Sequence, residues 1–332
     1  MKKIFALLTF TLLATACDST KETTTTTSAT QTETVQTTSA AATAPASDAQ
    51  AASAPATAEG ATVGLSISTL NNPFFVELRD GAQAAADAGG AELTVLDAQD
   101  RADKQASDIE DLVTRGVDVI LVNATDSDAI VPSIMTANEA GIPVITVDRS
   151  ANGGQVAYHI ASDNVAGGKL AGEFIREQLG GSGNVVELQG VPGSSAARDR
   201  GEGFNIVVKE NADMKVVAAQ PADFNRAKGL SVMENILQAQ PEIDAVFAHN
   251  DEMALGALQA ITAAGRDIMV VGFDATPDAV EAVKGGTLAA TVAQKPGEIG
   301  RLGVEKALEL ISSGNVPAAT ENVPVDLELV KP

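Results

Sequence analysis

From residue 61 onward, short runs of β-branched and aliphatic residues alternate with stretches whose apolar positions follow helical spacing. Ala61–Ile67, Ala91–Leu96, Val117–Val122 and Ile142–Val147 are apolar along their length, the pattern of strands buried on both faces of a parallel sheet. Helices are predicted to start near Pro73, Ala102 and Asp126; Asn72-Pro73 supplies an N-cap and a proline at the first helical position. The pattern then repeats with strands at Gln155–Ile160, Val185–Leu188, Lys215–Ala219, Ala245–Ala248, Ile268–Phe273 and Leu288–Ala293. Helices are expected from near Asp163, Ser195, Phe224, Asp251 and Pro277, the last capped by Thr276. A final helix over Pro296–Ser312 and a last strand over Val323–Val330 complete the series. So many β-α units exceed one small sheet and fit two open, doubly wound α/β domains side by side. A length of 332 residues agrees, at roughly 150 residues per domain.

The first sixty residues follow a different pattern. Lys2 and Lys3 precede an apolar run from Ile4 to Leu13, too short to span a bilayer, which needs about 20 residues. Leu13-Ala14-Thr15-Ala16-Cys17 then resembles a bacterial lipobox, in which Cys17 would be lipidated; a plain secretory signal is the alternative. Either reading exports the protein. Residues 18–60, rich in Thr, Ala, Ser and Pro, cannot form a core and are expected to be a disordered tether. Cys17 is the only cysteine, which excludes disulfides and paired-cysteine metal sites.

Charge narrows the partners. Asp and Glu number 44 against 22 Lys and Arg, and only Asp18, Glu22, Glu33, Asp48 and Glu59 of the acidic residues precede residue 61. The acidity therefore belongs to the body and argues against nucleic acid, whose phosphates need a basic patch.

In doubly wound sheets, ligands bind beyond the carboxyl ends of the strands. That rule nominates Asn71, Asn72, Phe74 and Phe75 after the first strand, Asn123 after the third, and Asp148 with Arg149 after the fourth. In the second half it nominates Arg198 and Arg200, then Phe224, Asn250, Phe273 with Asp274, and Gln294. Amides, carboxylates, guanidinium groups and phenyl rings suit a hydroxyl-rich ligand: carboxylates and amides pair with vicinal hydroxyls, arginine forks across two oxygens, and a ring covers an apolar C–H face. Each nominee has a plainer role. Asn72, Asn250 and Asp274 could each cap the following helix, Phe74 and Phe75 could pack as core, and Asp148–Arg149 could be a surface ion pair. Catalytic constellations are thin. His159 and His249 fall in different units, and no Ser-His-Asp set, HExxH, GxSxG or Walker loop occurs. Asp148 and Asp274 are conceivable as a glycosidase pair. The Gly89-Gly90, Gly153-Gly154 and Gly180-Gly181 pairs and Gly201-x-Gly203 read as turns or tight packing.

The stretch Ser68-Thr69-Leu70-Asn71-Asn72-Pro73-Phe74-Phe75 resembles the opening of ribose-binding members of the bacterial periplasmic sugar-binding proteins of type I fold. The likeness continues through Pro143–Arg149, His159–Asn164, Ser195–Phe204, Gln220–Phe224, Asn250–Gly256, Val271–Asp274 and Ala289–Gln294. It implies two Rossmann-like domains, 61–162 plus 295–326 and 163–294 plus 327–332, joined by three hinge segments with a sugar in the cleft. It implies ligand binding by Asn72, Phe74, Phe75, Asn123, Asp148 and Arg149 from one domain. From the other it implies Arg200 (in preference to Arg198), Phe224, Asn250, Phe273 and Asp274, with Gln294 at a hinge. Ala124 stands where the family commonly has proline, a change expected to loosen the backbone at Asn123. The resemblance further implies D-ribose or a similar monosaccharide as ligand, and a membrane ABC importer and a chemoreceptor as partners. It implies no cofactor, metal or catalysis.

Overall fold

The structure, a computed structural model, describes residues 59–332. The signal segment, Cys17 and almost all of the tether lie outside the described residues.

The first sheet is built from β1 (Thr62–Ile67), β2 (Glu92–Asp97), β3 (Val119–Val122), β4 (Val144–Val147), β5 (Tyr158–Ser162) and β11 (Glu321–Val325), in the order β11-β5-β4-β3-β1-β2. All its pairings are parallel. Side chains alternate between its faces. Val63, Leu65, Ile67, Leu121, Ile145 and Val147 pack against α1 (Pro73–Gly89) and α9 (Pro296–Ser313). Ile120, Val122 and Val144 face α2 (Ala102–Arg115) and α3 (Val131–Glu139).

The second sheet repeats the plan with β6 (Gly183–Gln189), β7 (Met214–Pro221), β8 (Ala245–Ala248), β9 (Met269–Asp274), β10 (Ala290–Ala293) and β12 (Glu328–Val330), in the order β12-β10-β9-β8-β6-β7. Only β12 runs antiparallel, along β10. One face carries α4 (Asn164–Gln178) and α5 (Ser195–Glu210) over Val185, Phe247, Val271 and Phe273. The other carries α6 (Arg226–Ala239), α7 (Asp251–Ala263) and α8 (Pro277–Lys284) over Val186, Leu188, Val246 and Val270. The expected α/β class with two doubly wound sheets is what the chain forms.

Strand order reverses between β1 and β3 in one sheet and between β6 and β8 in the other. These are the topological switch points where such folds take ligands. The chain passes between the sheets three times: from β5 to α4, from β10 to α9, and from β11 to β12.

Several boundaries differ from expectation for local reasons. The single last strand over Val323–Val330 is two strands in different sheets, parted at Asp326–Leu327. The helix expected from Asp126 begins at Val131, because the Asp126 carboxylate accepts from the N–H groups of Asp128 and Ala129 and shapes a turn first. The helix expected from Phe224 begins at Arg226, capped by Asn225. Thr276 occupies the N-cap position of α8 without making a side-chain cap; instead its N–H and hydroxyl donate to Asp251 Oδ2. Gly203 is a packing glycine: a Cβ there would lie 2.0 Å from the Val165 carbonyl oxygen of α4.

Candidate functional site

The carboxyl ends of both sheets face one cavity. It is lined by Asn72, Phe74, Phe75, Asp148 and Arg149 from the first sheet's rim and by Ala196, Arg200, Phe224, Asn250 and Asp274 from the second's. It adjoins a wider vestibule bordered by Thr69, Asp100, Asp223 and Glu252.

On the first rim, Asn72 does cap α1, accepting from the Phe74 N–H at 3.0 Å, and it also lines the cavity. Phe74 and Phe75 meet edge to face at 5.2 Å, buried in the core under α1 while presenting ring surface to the cavity. Core packing and cavity lining fall to the same two rings. Asn123 does not line the cavity. Its Oδ1 accepts from the Ser68 N–H (3.2 Å) and hydroxyl (2.6 Å), and its Nδ2 donates to the Val147 carbonyl (3.1 Å) and Asp148 Oδ2 (3.0 Å). It fixes the Asp148 carboxylate from behind. Beside Ala124, the Asn123 carbonyl accepts from Gln105 Nε2 at 2.9 Å.

Asp148, at φ 63°, occupies left-handed backbone space that only a few per cent of non-glycine residues adopt. The Arg149 guanidinium lies between the rings of Phe75 (5.0 Å) and Phe224 (5.1 Å), spanning the two rims. Asp148 and Arg149 are 2% and 3% exposed, so they are not a surface pair. Burial lowers the Arg149 pKa, opposed by the charge of Asp148. Asp148 Oδ1 and Arg149 Nε have no hydrogen-bond partner, although Arg149 Nε lies 3.7 Å from Asp148 Oδ2. Buried polar atoms in that state are costly unless something pairs with them.

On the second rim the arginines separate. The Arg198 side chain is 50% exposed and pairs with Asp199, whereas that of Arg200 is 4% exposed. Arg200 donates from Nε to Asn164 Oδ1 (2.8 Å) and from Nη1 to the His249 carbonyl (2.6 Å), and its guanidinium stacks 3.9 Å from the Phe273 ring centroid. Phe273 is a platform beneath Arg200, outside the lining. Asp274, at φ 113°, does not cap α8. Its Oδ1 accepts from Gln294 Nε2 (2.8 Å) and Arg200 Nη1 (3.5 Å). Gln294 holds Asp274 through Nε2, and its buried Oε1 has no hydrogen-bond partner. Burial pushes the Asp274 carboxyl up to about 8, partly opposed by Arg200. Phe224, at φ 56°, closes the cavity, and its carbonyl accepts from Asn250 Nδ2 at 3.4 Å. Asn250 also caps α7 by accepting from the Met253 N–H. The strained φ values at Asp148, Phe224 and Asp274 cluster at one site, a distribution typical of functional positions.

Sequence reasoning missed the layer beneath Arg200. His249 Nε2 donates to Glu187 Oε1 at 2.9 Å, and its Nδ1 accepts from the Gly190 N–H at 3.3 Å. Burial pushes the His249 pKa down, and the hydrogen bond from His249 lowers that of Glu187 against its own burial. The geometry describes a neutral imidazole on a charged carboxylate, fixing the carbonyl that holds Arg200. Ala196 was also missed, a small residue with no chemical signal. The His159 ring Nδ1 pairs with Thr146 Oγ1 at 2.9 Å. Among the described residues no group of three His, Cys, Asp or Glu could hold a metal, and no helix is long and apolar enough to cross a membrane.

Residues 63–315 match the family described as the periplasmic binding protein domain. The chain belongs to this family. It is 55% identical over 270 residues to the ribose import binding protein of Salmonella typhimurium, covering 81% of this chain and 90% of the relative. It is 51% identical to the protein of the same name in Bacillus subtilis, with 81% and 88% covered. Among solved structures, the Caulobacter myo-inositol binding protein bound to myo-inositol superposes with a TM-score of 0.78 at 35% identity, covering 81% of this chain and 93% of that one. The arabinose transporter's binding protein from Shewanella, bound to L-arabinofuranose, gives 0.76 at 33% identity, with 81% and 91% covered.

Proposed function

We propose that this protein captures D-ribose between its two sheets outside the cytoplasm and delivers it to an ABC importer, without acting on it chemically. The observation that carries this reading is the cavity itself. Residues from both rims line one space, and in its wall an acceptor, Asp148 Oδ1, and a donor, Arg149 Nε, lack hydrogen-bond partners. Vicinal hydroxyls supply both complements, since each donates and accepts. The names of the relatives at 50–55% identity point to ribose among the sugars that fit.

In this reading Asn72, Phe74, Phe75, Asp148, Arg149, Arg200, Phe224, Asn250 and Asp274 touch the sugar, while Asn123, Phe273 and Gln294 hold those residues in place. Residues 61–162 with 295–326 and 163–294 with 327–332 move as two bodies about the three crossings, and the sugar closes them. Cys17 carries lipid that anchors the chain on the extracytoplasmic face of a membrane, and a chemoreceptor is a second partner beside the importer.

Calorimetry of the protein against ribose, arabinose, xylose, allose, galactose and myo-inositol tests the proposal. Ribose is expected to bind most tightly and to be recovered unchanged. Tighter binding of another sugar reassigns the ligand, and chemical turnover of ribose overturns the binding role.

A further inference from the structure

We propose that closure is stabilised by a latch outside the sugar cavity, formed where the loop between β6 and α5 meets two loops of the opposite rim; this rests on the two-body closing proposed above. The Gly193 carbonyl accepts from the Ser127 N–H at 3.0 Å. The Ser195 hydroxyl accepts from the Ser150 N–H at 2.9 Å. Each bond joins a residue before the first crossing to one after it, so both break when the sheets separate. The receiving loops are braced as one piece: Ser127 Oγ donates to the Ser150 carbonyl at 2.8 Å, and the Asn152 N–H donates to the Ser127 carbonyl at 2.8 Å. The backbone at the contact is of a kind that favours glycine. At Gly193, with φ +90°, a Cβ would lie 2.0 Å from Asp126 Oδ2.

None of Ser127, Ser150, Gly193 and Ser195 lines the cavity. Their bonds therefore favour the closed form by the same amount whatever sugar it holds. The latch sets the level of affinity, and the cavity sets the order of preference among sugars. Ser195 separates these roles well. It is the first residue of α5, whose cap is the neighbouring Ser194, so removing the Ser195 hydroxyl leaves the helix start intact.

The test compares wild type, Ser195→Ala and Ser195→Thr by calorimetry over the same sugar panel. Loss of one neutral hydrogen bond should weaken binding by Ser195→Ala about 2- to 10-fold, with the same factor for every sugar that binds. Ser195→Thr, which keeps the hydroxyl, should restore it. Unchanged affinity, or a factor that differs from sugar to sugar, overturns the latch. Should wild type bind no sugar of the panel, the functional reading fails while the latch is still tested by spin-label distances. For that, Glu110→Cys on α2 and Glu234→Cys on α6, both exposed, carry the labels in a Cys17→Ser chain. A shift toward longer distances on adding Ser195→Ala supports the latch, and identical distributions overturn it.

Discussion

Replacing Asp274 by Asn should weaken ribose binding and, at the same time, make closing without sugar easier. The two effects have different origins. In the closed cleft the carboxylate has Gln294 at 2.8 Å and Arg200 at 3.5 Å, and burial raises its pKa from 3.8 to about 8. In an open cleft, water restores a value near the ordinary one. A group whose pKa rises on closing favours the closed form fully at pH below 3.8, and that favour is lost as pH rises toward 8. At pH 7 closing on an empty cleft is therefore opposed by the charge of this residue. A sugar relieves the opposition by donating hydroxyl hydrogens to the charged form. Bonds of that kind contribute about 1.5–3 kcal/mol each, so Asp274→Asn should cost roughly 10- to 150-fold in affinity per bond lost. The same substitution removes the charge and raises the sugar-free closed population. Calorimetry reads the first effect; the distance between labels on α2 and α6, without sugar at pH 5 and pH 8, reads the second. Wild type should open as pH rises, and the variant should show no such trend. A variant that binds ribose like wild type, or an empty cleft indifferent to both pH and substitution, would refute the reasoning.

Arg200→Lys should lower affinity more than tenfold, because a point charge cannot bond both Asn164 and the His249 carbonyl while lying flat on Phe273; calorimetry checks it. His249 is buried with its pKa below 6.5, so stability present above 6.5 is lost as pH falls and the unfolded chain takes up the proton first. Melting temperatures of wild type and His249→Gln, followed from pH 7.5 to 5, should show a decline in wild type that the variant lacks. Cys17→Ser should abolish membrane association while leaving sugar affinity unchanged; recovery of the variant in a salt-washed membrane pellet would refute lipid anchoring.

The parts of the site readable from sequence are those that follow from strand ends. Each buried run has one carboxyl end, and the switch-point rule then names the next few residues, which is how Asp148, Arg149 and Asp274 are found. The rule cannot say how far a side chain reaches. Asn123 and Gln294 sit at strand ends like the others, yet their amides point at neighbouring carboxylates and hold them. Spacing alone also left Arg198 and Arg200 equal. They lie on different faces of α5, and only packing against Phe273 buries the second. The Glu187–His249 pair was illegible because its partners, 62 residues apart, meet only when β6 and β8 become neighbours. The hydrophobic pattern alone read the last strand as continuous, because two residues suffice to change sheets, and only the resemblance placed the change of domain at 326/327.

The return of the chain's end to both sheets has a consequence for how the molecule is made. The Thr320 hydroxyl donates to the Val156 carbonyl across 164 residues of sequence, and α9 completes the face that α1 begins. At synthesis rates of 5–20 residues per second, the first sheet waits roughly 8–30 seconds between the appearance of β5 and that of its neighbour β11. During that interval neither half has its full complement of strands, and the pairings still missing are the non-local ones that close slowly. Neither sheet can therefore be completed until the last dozen residues of the chain have been made, so folding of both halves is tied to the end of synthesis.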